Sequence, residues 1–178
     1  TLTVTPKAVT VTAENKTKKF GEADPELTAT VTGLVEGETI DYTVTRDAGE
    51  NVGEYVITAS GKESQGNYTV RYVAGTLTIT KAESTALGLK VSNTDASKEY
   101  DGTPLTVETT VDVKEGTKIS YSTDKGNTWK EAAPSITDVG TLKVTVKAEN
   151  SNYGIARADY TLTVTPKAVT VTAENKTK

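Results

Sequence analysis

The chain has 178 residues, of which 35% are hydrophobic, and a formal net charge of −4 spread over intermixed Lys, Glu and Asp. It contains no Cys and no His, which excludes a disulfide framework and a thiolate nucleophile and removes both the usual general base and the commonest metal ligand. With no basic block and no apolar run of membrane-spanning length, the pattern predicts no nucleic-acid partner and no membrane insertion.

In chain order, the opening "TLTVTPKAVTVTAENKTK" of residues 1–18 recurs letter for letter as residues 161–178, so the chain carries a period of 160 residues. Such identity marks a tandem array. Within the period a weaker repeat aligns "VGEYVITAS" (52–60) with "VGTLKVTVKA" (139–148), "GNYT" (66–69) with "SNYG" (151–154), and "GTLTITKA" (75–82) with "YTLTVTPKA" (160–168). Residues 1–6 are therefore expected to be the last strand of a preceding repeat. Residues 7–81 and 82–166 are expected to be two β domains, and 167–178 the first strand of the next repeat.

About a fifth of all positions are Thr, which suits strands with one wet face. "AVTVTA", "TLTIT" and "LKVTVKA" alternate with a period of two, while Gly, Asn and Asp punctuate the chain every eight to twelve residues or so, as in sandwiches. The expected fold is all-β: two consecutive small Ig-like antiparallel β-sandwiches, with helix-poor β-grasp-like domains as the alternative. Tyr42, Tyr55, Tyr121 and Leu142 are the expected core anchors, and Tyr68 and Tyr153 are expected to bury their rings and bond their hydroxyls to backbone. Gly21, Gly53, Gly102 and Gly140 stand beside strand starts, and Pro25 and Pro104 fix φ after the turns that follow Phe20 and Tyr100. Short joins stiffened by Pro6 and Pro166 predict an end-to-end rod.

"STDKGNTW" (122–129) spells S-x-D-x-G-x-T-W and resembles the Asp-box of bacterial sialidases. Turn chemistry accounts for every position of it: Asp124 accepts backbone N–H groups, Gly126 takes positive φ, and Trp129 covers apolar residues of its domain. A sialidase also needs an arginine cluster, and Arg46, Arg71 and Arg157 are divided between the domains. Asp124 with Asn127, or Asp95 with Asp101, offers oxygen ligands for Ca²⁺ without the spacing of a calcium loop. A Lys-to-Asn or Lys-to-Asp isopeptide bond needs a buried trio that the sequence does not single out. No catalytic, cofactor or metal residue is assigned, and any ligand-binding residue is unknown.

"KKFGEADPELTATVTGL", "RDAGENVGEYVITA", "GNYTVRYV" and "GTLTIT" resemble the MBG-type (YGX) repeats of bacterial surface adhesins, with Phe20 before Gly21 in place of the usual Tyr. "KEYDGTPL", "SYSTDKGNTW", "PSITDVGTLKVTVKAENSNY" and "YTLTV" resemble the related YDG repeats of Gram-positive surface proteins. The resemblance implies an extracellular, cell-wall-attached protein, not an enzyme, whose partners are neighbouring repeats of the same chain. A non-catalytic stalk is the expected role, and low-affinity binding of mucin glycan or host matrix protein the alternative. The strand expected at 167–178 has no domain of its own in this chain, and is expected to pair with another molecule or a sheet edge.

Overall fold

Val9, Val11 and Ala13 alternate with Ala8, Thr10 and Thr12, and this buries one face of Lys7–Ala13 as strand β1. The computed structural model describes residues 1–175, and the chain falls into two units, Thr1–Ala82 and Glu83–Lys178. The first unit continues with β2 (Lys16–Lys19), β3 (Ala29–Thr32), β4 (Thr43–Arg46), β5 (Gly53–Ser60), β6 (Ser64–Gln65), β7 (Tyr68–Val73) and β8 (Gly75–Thr80). These form two four-stranded sheets, ordered β3-β1-β7-β6 and β2-β8-β5-β4. Val9, Val11, Ile57, Val70, Leu77 and Ile79 fill the core of an Ig-like sandwich.

Strand direction departs from the purely antiparallel expectation. Most pairs are antiparallel, but β1 runs parallel to β7 and β2 parallel to β8. The cause is connectivity. Residues 7–19 pass through both sheets, changing sheet at Glu14 and Asn15, and residues 68–80 do the same at Ala74. The two segments lie side by side, with six register pairs from Lys7↔Tyr68 to Thr12↔Val73 and four from Lys16↔Leu77 to Lys19↔Thr80. At the change of sheet they are in contact. A Cβ on Gly75 would lie 2.6 Å from the Ala13 carbonyl oxygen, and Asn15 Oδ1 accepts the Thr76 N–H at 2.8 Å. Only glycine fits that approach.

The second unit opens with a 3-10 turn at Ser84–Leu87, followed by β9 (Lys90–Val91), β10 (Asp95–Glu99), β11 (Thr109–Thr110), β12 (Lys118–Ser122), β13 (Gly140–Glu149) and β14 (Ala156–Thr165). A four-stranded sheet β10-β14-β13-β12 faces the short ladder β11-β9. The first strand of the larger sheet again runs parallel to the last, from Asp95↔Thr161 to Glu99↔Thr165. Loop residues complete the sandwich. Leu105, Val107 and Ile136 pack on the core formed by Tyr121, Val144, Val146, Tyr160 and Leu162.

Of the expected anchors, Tyr121 is buried, and Tyr55 and Leu142 are half-buried against the cores of their units. Tyr42 is a correction: it is 36% exposed, because β4 pairs with β5 only from Thr43 onward and Tyr42 lies beyond the ladder. Tyr68 is buried as expected, its hydroxyl accepting the Val35 N–H at 3.2 Å and donating to the Glu38 carboxylate. Residues 1–6 and 166–175 form no strand, and Leu2, Val4, Val169 and Val171 are exposed. Within the described residues the tail therefore does not extend a sheet of its own chain; residues 176–178 lie outside them.

Candidate functional site

The 121–130 loop is built from its own side chains. β12 ends at Ser122, and the Tyr121↔Lys130 bridge brings the chain back beside it. Ser122 Oγ donates to Asp124 Oδ1 at 2.6 Å and accepts the Gly126 N–H at 2.7 Å. Asp124 Oδ1 accepts the Thr128 N–H at 2.9 Å, and its Oδ2 accepts the Thr128 hydroxyl at 2.6 Å. Asn127 Nδ2 donates to the Asp124 carbonyl at 2.8 Å, and Trp129 Nε1 to the Gly126 carbonyl at 3.1 Å. Hydrogen bonds from Ser122 and then Thr128 hold the Asp124 carboxyl down at about 2. Both carboxylate oxygens are thus engaged within the loop.

Trp129 is where the structure corrects the reading of this motif. Its indole does not cover the apolar core but lies on the outer face of the sheet, with Lys147 Nζ 4.5 Å and the Arg157 guanidinium carbon 5.3 Å from the ring centroid. Alternation explains the position. Tyr121 pairs with Val146, whose side chain is in the core, so residues one step away from the Tyr121↔Lys130 bridge face the side that carries Lys147 and Arg157. Beside this loop the same face holds an open groove of about 590 Å³, lined by Lys125, Lys143, Thr145, Asp159 and Thr161 among others.

The first unit holds a buried cation that no motif marks: the Lys18 side chain is 3% exposed. Its ammonium donates to Asp24 Oδ1 at 2.7 Å, to Glu50 Oε2 at 2.5 Å and to the Glu22 carbonyl at 3.1 Å. Arg46 also grips Asp24, at 2.7 Å through Nε and 3.1 Å through Nη2, and pairs with Glu50. Arg46 and then Lys18 hold the Asp24 carboxyl at about 2, while Asp24 and Glu50 push Lys18 up. Amide formation between Lys18 and Asp24 would need a neutral amine and a neutral acid, so this arrangement favours an ion-pair cluster over an isopeptide bond. A lysine at the start of a run beside a Gly-containing turn normally reads as solvent-facing, and no sequence signal separated it from its neighbours.

The remaining candidates stay apart. Arg46 belongs to this cluster, Arg71 is exposed on β7, and Arg157 lies over Trp129. Asp95 opens β10, whereas Asp101 follows its far end and is bound by Lys98 Nζ at 2.6 Å. Among the described residues no group of three or more His, Cys, Asp or Glu is placed to hold a metal ion. A polar cleft of about 280 Å³ borders exposed Tyr42 and is lined by Asp41, Thr43, Ser60, Lys62 and Gln65 among others.

Residues 9–78, which fall within the first unit, match the family model of the MBG domain (YGX type). A search of curated proteins finds no match. Among solved structures, the tandem Ig repeats of Dlar align at 15% identity and a TM-score of 0.33, covering 92% of this chain and 100% of that one. DIP-gamma IG1+IG2 aligns at 10% identity and 0.33, covering 86% and 94%. Drosophila N-cadherin EC1-4 aligns at 8% and 0.32, covering 91% of this chain and 51% of that one. At such TM-scores the fold assignment rests on the strand pairing itself.

Proposed function

We propose that the chain is a non-catalytic spacer segment of a bacterial cell-surface adhesin, in which alternating β units are repeated to set distance from the cell wall. The single observation that carries this reading is the 160-residue period, repeated without change over its 18-residue overlap. A spacer needs each copy to fold reliably and none to hold a site. The loop around Asp124 agrees with this, because its polar groups are engaged in shaping their own turn. Small-angle scattering tests the spacer directly: the expected profile is that of a rod, and a globular radius for the two units would refute it.

A second reading is a weak binding module for mucin glycan or host matrix protein, multiplied along the array by avidity. It is favoured by exposed Tyr42 beside the polar cleft, since an exposed aromatic ring next to hydroxyls and an amide suits a sugar face. A multi-repeat protein on a glycan array separates the two. Specific binding abolished by Tyr42→Ala supports the module, and no binding with an extended profile supports the spacer.

A further inference from the structure

The N-terminal segment of the first unit (β1, β2) and its C-terminal segment (β7, β8) run side by side and parallel, β1 beside β7 and β2 beside β8. A chain pulled from its ends would load β1 and β2 toward the N-terminus and β8 toward the C-terminus. Because β2 and β8 are parallel neighbours over Lys16↔Leu77 to Lys19↔Thr80, opposite pulls slide them along each other instead of peeling them apart. Sliding loads the ladder's hydrogen bonds together, whereas peeling loads them one pair at a time. The ladder is backed at both ends. The Phe20 N–H adds a bond to the Thr80 carbonyl at 2.8 Å, and Asn15 Oδ1 fixes the Thr76 N–H at the change of sheet. Behind it, β1 repeats the geometry against β7 over six further register pairs.

The Lys18 cluster stands on this path. Lys18 lies within β2, opposite Ile79 of β8, and its ammonium is tied to Asp24 and Glu50, which Arg46 of β4 also holds. Sliding β2 would have to draw a buried ammonium out of that cluster as well as break the ladder. The second unit keeps the same direction at its exit, with β10 parallel to β14 over five register pairs from Asp95↔Thr161. Lys98 of β10 stands opposite Val164, the place Lys18 holds opposite Ile79, and ties β10 to the following turn through Asp101 and Thr103.

We propose that each unit bears tension along the chain, with the parallel contacts between its N-terminal and C-terminal segments, β1–β7 and β2–β8 in the first unit and β10–β14 in the second, as the element that resists extension and the lysine contacts of β2 and β10 as its reinforcement. This rests on the spacer reading in one respect, since only a tethered array transmits tension from end to end. The structural asymmetry is testable in the chain by itself. Because the protein lacks cysteine, pairs of introduced cysteines define the pulling points cleanly.

The experiment is single-molecule force extension on the full chain with handles at Thr5→Cys and Lys81→Cys, compared with handles at Thr43→Cys and Ser60→Cys. The second pair sits on directly opposed exposed residues at the open end of the β4–β5 antiparallel ladder, where pulling separates one pair at a time. The end-to-end handles should need a force higher by about twofold or more at equal loading rate, since the rate of forced unfolding follows the barrier along the pulled direction. Equal forces, or a lower one end to end, overturn the proposal while leaving a passive spacer intact. Glycan binding by the array would sink the spacer reading without altering the ratio of the two forces.

Discussion

The same thirteen residues, "TLTVTPKAVTVTA", occur twice and meet opposite fates. At 161–165 the first five belong to strand β14, with Leu162 fully buried, while at 1–5 they form no strand and Leu2 is 94% exposed. At 7–13 the last seven are β1, with Val11 fully buried, while at 167–173 they form no strand and Val171 is 89% exposed. Local propensity is identical by construction of the repeat, so it cannot account for the difference. What differs is the presence of neighbours: β1 lies between β3 and β7, and β14 between β10 and β13. A strand here is made by its partners, and the alternating pattern only decides which face it turns to them.

The most severe test substitutes the same residue in both contexts. Leu162→Ala should cost about 3 kcal/mol of the second unit's stability, within the range for a buried leucine. Leu2→Ala, in the identical local sequence, should stay within about 0.5 kcal/mol, as exposed sites do. Chemical denaturation followed by a probe in each unit reads both. A comparable loss at Leu2 would mean that residues 1–5 are held by a partner, and that context does not separate the copies as described.

Gly75 and Tyr160 sharpen the comparison at the next scale, that of the two units. They occupy the same place in "GTLTIT" and "YTLTVT", yet in the first unit the β1-to-β2 crossing presses on the position and in the second a buried phenol stands there. Gly75→Ala should cost about 2 kcal/mol, because the added carbon meets a backbone oxygen that cannot swing aside. Thermal unfolding resolved by unit would detect it as a lower transition in the first unit only. An unchanged transition would show that the crossing can move away, and would weaken the case for a rigid junction between β1 and β2.

Much of this architecture could be read from the sequence, for identifiable reasons. The period of two in "LKVTVKA" corresponds to buried Val144, Val146 and Ala148, and the turn chemistry of the Asp-box is present in its own hydrogen bonds, although Trp129 does not cover the core. Alternation is blind to strand direction, so the parallel neighbours β1–β7, β2–β8 and β10–β14 were missed. It is also blind to the third dimension at strand ends, which is how Tyr42 came to be expected in a core that its strand stops short of. Lys18 was hidden for a different reason. Its partners are Asp24, 6 residues away, and Glu50, 32 residues away, and no local window contains both.

Acid should expose how those carboxylates contribute. Glu14, with bonds first from Thr28 and then from Lys16, sits at about 2, as do Asp24 and Asp124. Their unfolded values are about 4, so each contributes stability that is present above that value and lost as pH falls from about 4 through about 2. With no His or Cys to titrate, stability should be nearly flat from about pH 5 to 8 and fall only below that window. Replacing Lys18 with Met should reduce the acid-dependent loss in the first unit, since part of the shift at Asp24 comes from Lys18. Lys18→Met that leaves the acid profile unchanged would remove that assignment.

Trp129 carries a smaller effect than a buried tryptophan would. Placed over Lys147 and Arg157 on the outer face, it should lose about 1 kcal/mol on substitution by Ala, the scale of an exposed cation–π contact with some packing. A loss of about 3 kcal/mol or more would restore the indole to the core, as the sequence alone suggested. Raising salt separates the contributions further, because the cation–π share weakens while any packing share persists.

The smallest effect has the opposite sign. Tyr160 is 2% exposed and its hydroxyl has no hydrogen-bond partner among the described residues, while burial, with Tyr121 nearby, pushes its phenol up to about 12. A buried hydroxyl without a partner costs free energy that an apolar ring of the same shape does not. Tyr160→Phe should therefore stabilise the second unit by up to about 1 kcal/mol, with the ring still filling the space that the β1-to-β2 crossing occupies beside Gly75 in the first. Because the change keeps the packing and removes only one oxygen, it isolates the polar cost from the shape requirement. A destabilisation on Tyr160→Phe would mean that the hydroxyl has a partner, such as an internal water, and that the position is selected for a bond as well as for bulk.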